Sequence, residues 1–468
     1  MVDRTQKPFD RLDIPPLERL PPFRGEEGRK NGDALDVAVP DDEDRVLRDV
    51  SHAARIPGPP IVRVPGEGRF EIGSAPILRF SRDPRSSINL DRESDGPALR
   101  AFRRRCGPMM APQEVKMRVE RPDHPGLALF TELLDVPCPS GREERLAALI
   151  RTKLDGLGWL HRTDSAGNVL VDVPGRDEAA SVCCLAAHTD EIGMVVTRIE
   201  ANGALCVDRS GGLHPWKLGE TPVEIVGDGP LVSGVLSMGS THTPGASDRR
   251  VTWEGVRILT GLTPEALSER GVRPGSTAVP ARDVRGPVLL GDPEDPLIAA
   301  WCIDNRAGVV ALLQLLGTLK RDAIVPLHPF LIAFTVHEEA GCHGAKVVAH
   351  RERPEAFVAV DGCPLPPGSP LVMDGTPGIR SKDTQTHYDQ RLVQDWLRIA
   401  SEDGIGLQPV VYDGAASDAS AVYAVGGAPR VGCVGYVREN SHGYEVMPLS
   451  TFDNLLSLLV AFVRRWEG

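Results

Sequence analysis

A chain of 468 residues, 41% hydrophobic and 25% charged, has room for two or three domains and the composition of an ordinary globular protein. Its net charge of -12 argues against a nucleic-acid partner, because that affinity rests on clustered Lys and Arg. No apolar run reaches transmembrane length, and the polar, Pro-rich start lacks the apolar stretch of a signal peptide, so no membrane partner and a cytoplasmic location are expected. The nine cysteines form no CxxC pair and sit mostly in apolar stretches, which suits reduced, core-packed thiols.

Residues 1–116 hold Pro-Pro pairs, mixed charge and the run Arg103-Arg104-Arg105, with no sustained period of 3.6 or 2. The expectation is a disordered extension or, if the natural chain starts near Met110 or Met117, a gene-model artefact. From Leu127 the texture changes. Leu127 to Leu134 is apolar at helical spacing, and Ser140 followed by Glu143 and Glu144 predicts a capped helix over 142–157. A strand is expected over 169–173 and another over 181–187, the latter running into His188-Thr189-Asp190-Glu191. Residues 198–297 read as an inserted small β-rich domain. Short strand-like runs (223–226, 231–235, 256–259) are separated there by Gly and Pro turns.

Strand–helix alternation then resumes. The run 297–303 leads to Asp304 and a helix over 307–319, and Phe330 to Val336 is a buried strand stopping on His337-Glu338-Glu339. Phe357 to Val360 ends on Asp361, the strand 431–437 ends near Ser441-His442, and a closing helix spans 451–465. The fold class expected is α/β, a mostly parallel sheet covered by helices on both faces.

Strand after strand thus ends on a metal-capable side chain: His188, Asp304, Glu338-Glu339, Asp361 and His442. Each alone has a structural alternative. His188 could be a hydrogen-bonded core histidine, Asp304 a helix cap, Asp361 a turn former, and His442 an exposed loop residue. Together, at strand ends where ligands collect in α/β sheets, they point to divalent metal. Imidazole with carboxylate suits zinc, cobalt or manganese rather than a structural Cys-rich site. A bridging acid with one His and one acid on each side would hold two ions about 3.5–4 Å apart and leave one Glu as a general base.

His188-Thr189-Asp190-Glu191-Ile192-Gly193, Asp304-Asn305-Arg306-Ala307-Gly308, His337-Glu338-Glu339-Ala340-Gly341 and Ser441-His442 resemble the M42 family of dinuclear metallo-aminopeptidases, once described as endoglucanases. The resemblance covers about residue 125 to the C-terminus. It implies that His188 and Asp361 bind one ion and Glu339 and His442 the other, with Asp304 bridging. It further implies Glu338 as the general base and Asp190 as the residue orienting His188. It makes 117–197 and 298–468 two parts of a catalytic domain and 198–297 a dimerisation domain. The implied substrates are short peptides, and the implied assembly is a homo-oligomer, from a dimer to a twelve-subunit shell. Asn305, His337 and Cys342-His343 depart from the family's usual Asp, Gln and Leu-Arg. His337 and His343 are read as flanking, supporting residues. A related dinuclear amidohydrolase or deacylase and a catalytically inactive scaffold of the same fold are the competing readings. A glycoside hydrolase would leave the histidines without a role.

Overall fold

The computed structural model describes residues 123–243, 245 and 250–468. The extension expected over 1–116 lies outside the described residues. An eight-stranded sheet contains β1 (Arg162–Thr163), β2 (Val169–Val173), β3 (Cys183–His188), β4 (Phe330–Thr335), β5 (Ala356–Val360), β6 (Gly378–Lys382), β7 (Gln408–Val411) and β8 (Arg430–Gly435). Their spatial order is β1-β2-β4-β3-β5-β8-β6-β7. The central strands β4, β3, β5 and β8 run parallel, whereas β1, β2 and the β8–β6 pair are antiparallel. β3, β4 and β5 are buried at every residue, the pattern of strands covered on both faces. Register brings their ends level. Thr335 lies beside His188, and Ala359 beside Ala186, so Asp361 follows beside His188.

Helices Pro125–Leu134, Ile303–Arg321 and Thr451–Arg465 pack against one another, and Trp396 of Gln390–Glu402 stacks on Phe462 with ring centroids 3.6 Å apart. His343–Glu352 and Asp418–Ala424 form a second packed pair. None of the described helices is long and apolar enough to cross a membrane.

The β-rich insert is a closed barrel in the order Gly193–Ile199, Leu205–Ser210, Arg257–Leu259, Val232–Ser237, Pro222–Val226, Thr277–Pro280. Its first two strands escape sequence patterning because each has a wet half: Thr197-Arg198 and Asp208-Arg209 interrupt the apolar residues. The expected boundary at 198 therefore falls inside the first barrel strand. Likewise Val288–Leu290 and Leu297–Trp301 are not barrel or central-sheet strands. They form a separate antiparallel sheet in which Leu297–Trp301 pairs with Val288–Leu290 on one side and Tyr444–Pro448 on the other, so Asp304 follows the middle strand of this small sheet.

One buried carboxylate joins these pieces. Glu191, fully buried just before the barrel, accepts hydrogen bonds from Cys138 N (2.7 Å), Trp301 Nε1 (2.9 Å), Arg285 Nη2 (3.1 Å) and Arg306 Nη2 (3.4 Å). Arg285 stands just after the barrel's last strand and Arg306 opens the long helix, so both crossings of the insert meet at one acid. Removing one partner of a buried ion pair strands the others, at a cost of about 3–5 kcal/mol. Glu191→Ala should lower unfolding free energy by that amount in urea titrations of the purified chain. A change within error of zero would show that the junction is not energetically coupled.

Candidate metal centre

His188 is the last residue of β3, and its ring is held between two elements. Nδ1 lies 3.1 Å from the Asp190 carbonyl oxygen and Nε2 lies 3.2 Å from Asp304 Oδ1. The Asp190 carboxylate is farther from the ring, 3.6 Å from Nδ1. It accepts instead from the backbone N–H groups of Glu338 (2.9 Å) and Glu339 (3.1 Å) and from Ser140 Oγ (2.7 Å). Ser140 therefore serves Asp190 and is not the cap expected of it. The helix starts at Glu144, with Glu143 at its N-cap making no side-chain cap bond. The Glu143 carboxylate accepts from Gly141 N and His337 N.

Past β4 the chain turns at His337, whose φ of 56° swings Glu338 and Glu339 onto Asp190. Glu338 Oε2 lies 3.9 Å from His188 Nε2, and Cys342 Sγ lies 3.6 Å from Glu338 Oε1. The His337 ring rests 3.9 Å from Glu143 and edge-on to His343, so neither ring bonds the Glu338-Glu339 pair. Asp304 does not cap its helix. Its ψ of 107° is non-helical, and its side chain faces His188 and Arg438. Asn305 is not idle either. Its amide donates to Val360 O (3.0 Å) and accepts from Tyr436 Oη (3.0 Å), fixing the strand end that delivers Asp361.

Asp361 sits 3.6 Å from Arg380 Nη2, and Arg380 also donates to Ala416 O and Gly362 O. His442 occupies a turn with φ of 57°, its N–H donating to Glu445 Oε1 at 3.1 Å and its Nε2 3.8 Å from Glu339 Oε1. Beneath the cluster, Thr335 Oγ1 donates to Asp418 Oδ2 at 2.6 Å. The sequence-expected residues His188, Asp304, Glu338, Glu339, Asp361 and His442 all line one cavity of about 510 Å³, while Asp190 lies behind it. Ligand atoms of His188, Asp304 and Glu339, and of His188, Glu338 and Asp361, fall within 4.8 Å of one another. Arg380, Arg438, Asp418 and Glu445 belong to the same region; of these, Arg380, Arg438 and Glu445 were not found by sequence reasoning. An Arg three residues before Ser441-His442 and a carboxylate three residues after His442 were the available signals.

The charge state follows from crowding. Burial, then repulsion from Glu339, Asp418 and Asp361, raises the Glu338 pKa well above the usual range despite the opposing pull of His188. Burial and Asp304 raise Glu339, burial raises Asp361 against the pull of Arg380, and burial pushes Asp418 up to about 7. Burial opposes charging of His188, but Glu338, Asp190 and Asp304 overcome it and raise its pKa. Burial also works against Asp304, yet Arg438 and His188 keep its carboxyl low. A group whose pKa is raised on folding stabilises the fold at low pH and loses that contribution as pH climbs through its folded pKa. The raised carboxyls and His188 share this sign. The metal-free chain should therefore melt lower at pH 8 than at pH 6, and divalent metal should erase the difference by replacing the protons. Calorimetry across that window checks it; a flat or rising melting temperature without metal contradicts the charge assignment.

The sequence profile of the M42 glutamyl aminopeptidase family matches residues 167–458. Glutamyl aminopeptidase of Lactococcus lactis is 28% identical over 50% of this chain, a match spanning 65% of that enzyme's length. The aminopeptidase APDkam598 from the archaeon Desulfurococcus kamchatkensis is structurally similar, with a TM-score of 0.65 and 25% identity over 72% of this chain and 94% of that one. The dodecameric PhTET1-12s structure aligns with a TM-score of 0.64 and 25% identity, covering 72% of this chain and 99% of its own.

Proposed function

The chain belongs to the M42 glutamyl aminopeptidase family, and from that premise we propose that it removes the N-terminal residue of short peptides by hydrolysis assisted by two divalent ions. The observation that carries the proposal is the convergence of His188, Asp304, Glu338, Glu339, Asp361 and His442 on one cavity. These donors fit the ions. Imidazole and carboxylate suit zinc, cobalt or manganese, and the buried excess of carboxylates calls for added positive charge. His188 and Asp361 would hold one ion, Glu339 and His442 the other, and Asp304 both. Bound there, the ions supply Lewis acidity that lowers the pKa of a water and polarises the scissile carbonyl.

The chain's own residues do the rest. The Asp190 carbonyl oxygen fixes the His188 ring through Nδ1, leaving Nε2 to face the cavity. The Asp190 carboxylate pins the backbone of Glu338 and Glu339 and so sets where both side chains start. Glu338 takes the proton of the attacking water on its carboxylate and hands it to the leaving amine. Burial and the neighbouring carboxylates raise its pKa, which makes it a stronger proton acceptor than an exposed carboxylate. The barrel is read as the dimerisation element and the chain as a homo-oligomer, supported by the similar dodecamer. The cytoplasm is the proposed location, since the described cysteines are all free and buried.

The experiment strips the protein of metal, reloads it with zinc, cobalt or manganese, and offers free and N-acetylated amino-acid anilides and short peptides. Metal-restored release of N-terminal residues, blocked by acetylation, is expected, and Glu338→Gln should lower kcat by about 10²–10⁴-fold with metal content unchanged. Turnover of the acylated substrates alone would make the protein a deacylase. No turnover with two bound ions would leave a scaffold.

A further inference from the structure

Two arginines are buried in the cavity wall, and they are held differently. Arg380 is fixed by the carbonyl oxygens of Ala416 and Gly362, and its approach to Asp361 is a loose 3.6 Å. Among the described residues Arg438 has no such carbonyl anchor. Its Nη2 donates to Asp304 Oδ2, its Nε lies 3.3 Å from Glu445 Oε1 without hydrogen-bond geometry, and its Nη1 has no partner among the described residues. The fold makes room for it. A Cβ on Gly362 would sit 2.5 Å from Arg438 Nε, so any other residue after Asp361 would collide with the guanidinium.

The Asp304 oxygen that Arg438 takes is the one facing His442, whose Nε2 lies 3.9 Å away. The two cation positions are therefore unequal. Around His188, whose Nε2 meets the other Asp304 oxygen at 3.2 Å, donors from three elements already converge. Neither compact donor triad around that ring includes His442.

We propose that Arg438 is a built-in competitor for the cation position at His442, so that the ion at His188 binds first and tightly while the second binds weakly and by displacing a guanidinium from Asp304. The inference rests on the dinuclear reading above and deepens it. The exchange is balanced in charge type, one cation leaving an oxygen as another arrives. Glu445 remains to receive the displaced side chain, being already 3.3 Å from its Nε. The second site is thereby a point at which metal supply sets the state of the centre.

The test is a cobalt(II) titration of the metal-free full chain, read by calorimetry and by bound metal per chain after dialysis at fixed free metal. Two steps are expected, the second weaker by about 10- to 100-fold. In Arg438→Gln and Arg438→Met the second step should tighten until the gap nearly closes, with the first step and the melting temperature of the metal-loaded chain preserved. Two equal steps in the unaltered protein would overturn the proposal without any variant. An unchanged second step in a folded variant would overturn it as well. Failure to bind a second ion at millimolar metal would instead remove the dinuclear reading, and this inference with it.

Discussion

Carboxylates crowded around one cavity are the constraint around which the structure is arranged. Asp304, Glu338, Glu339, Asp361, Asp418 and Glu445 share one region, and each loses water while facing like charge. The surroundings offset this with oriented donors. Backbone N–H groups of residues 338 and 339 go to Asp190, the N–H of Asp304 goes to Glu445, and Thr335 bonds Asp418. Two buried guanidiniums supply fixed positive charge. Even so, Asp418 Oδ1 has no partner among the described residues, and its carboxyl is pushed up to about 7. A site left short of positive charge in this way favours binding of mobile cations.

The residues after β3 show how tightly fold and site are joined. His188 faces the cavity. Thr189 Oγ1 donates to Thr335 O at 2.8 Å, clamping β3 to β4, and the Thr189 carbonyl accepts from Arg306. Asp190 supports the Glu pair, and Glu191 gathers Arg285, Arg306 and Trp301. Consecutive residues therefore serve the site, the sheet, the Glu pair and the insert. Such a segment tolerates little repositioning, because a shift that relieves one contact breaks another.

What could be read from the chain follows from where information is local. The ends of β3, β4 and β5 were visible because a buried apolar run stopping on His or an acid is a one-dimensional signal, and the helix 451–465 matched its apolar spacing. Asp304 was placed among the donors, yet its local context fits a helix cap equally well, and only the chain's non-helical turn there separates the two. Ser140 was misread for the same reason in reverse: a capping pattern was present, but its hydroxyl found Asp190, fifty residues on, a stronger charged acceptor. Arg380 and Arg438 were missed because a long side chain reaches its partner through space, and nothing in the neighbouring sequence records the destination. Asn305 looked like a lost charge and is instead a hydrogen-bonding clasp between helix and strand, a role an amide fills with both its donor and its acceptor.

The barrel, finally, is more than an appendage to the catalytic layer, because it supplies one wall of the cavity. Gly212, His214 and Lys217 line it, and Lys217 Nζ donates to Asn440 Oδ1 at 2.8 Å, beside the turn that carries His442. His442 Nδ1 meets Gly212 O at 3.2 Å, and a Cβ on Gly212 would lie 2.5 Å from that same nitrogen. The orientation of His442 is thus set jointly by Glu445 from the small sheet and by the barrel's backbone. At His188 the Nδ1 partner is the Asp190 carbonyl within its own segment, while Nε2 meets Asp304. The Nδ1 partner of one imidazole is thus local and that of the other belongs to the insert, so a disturbance of the barrel reaches His442 before it reaches His188. The same asymmetry that places Arg438 against Asp304 puts the insert's influence on that side of the centre.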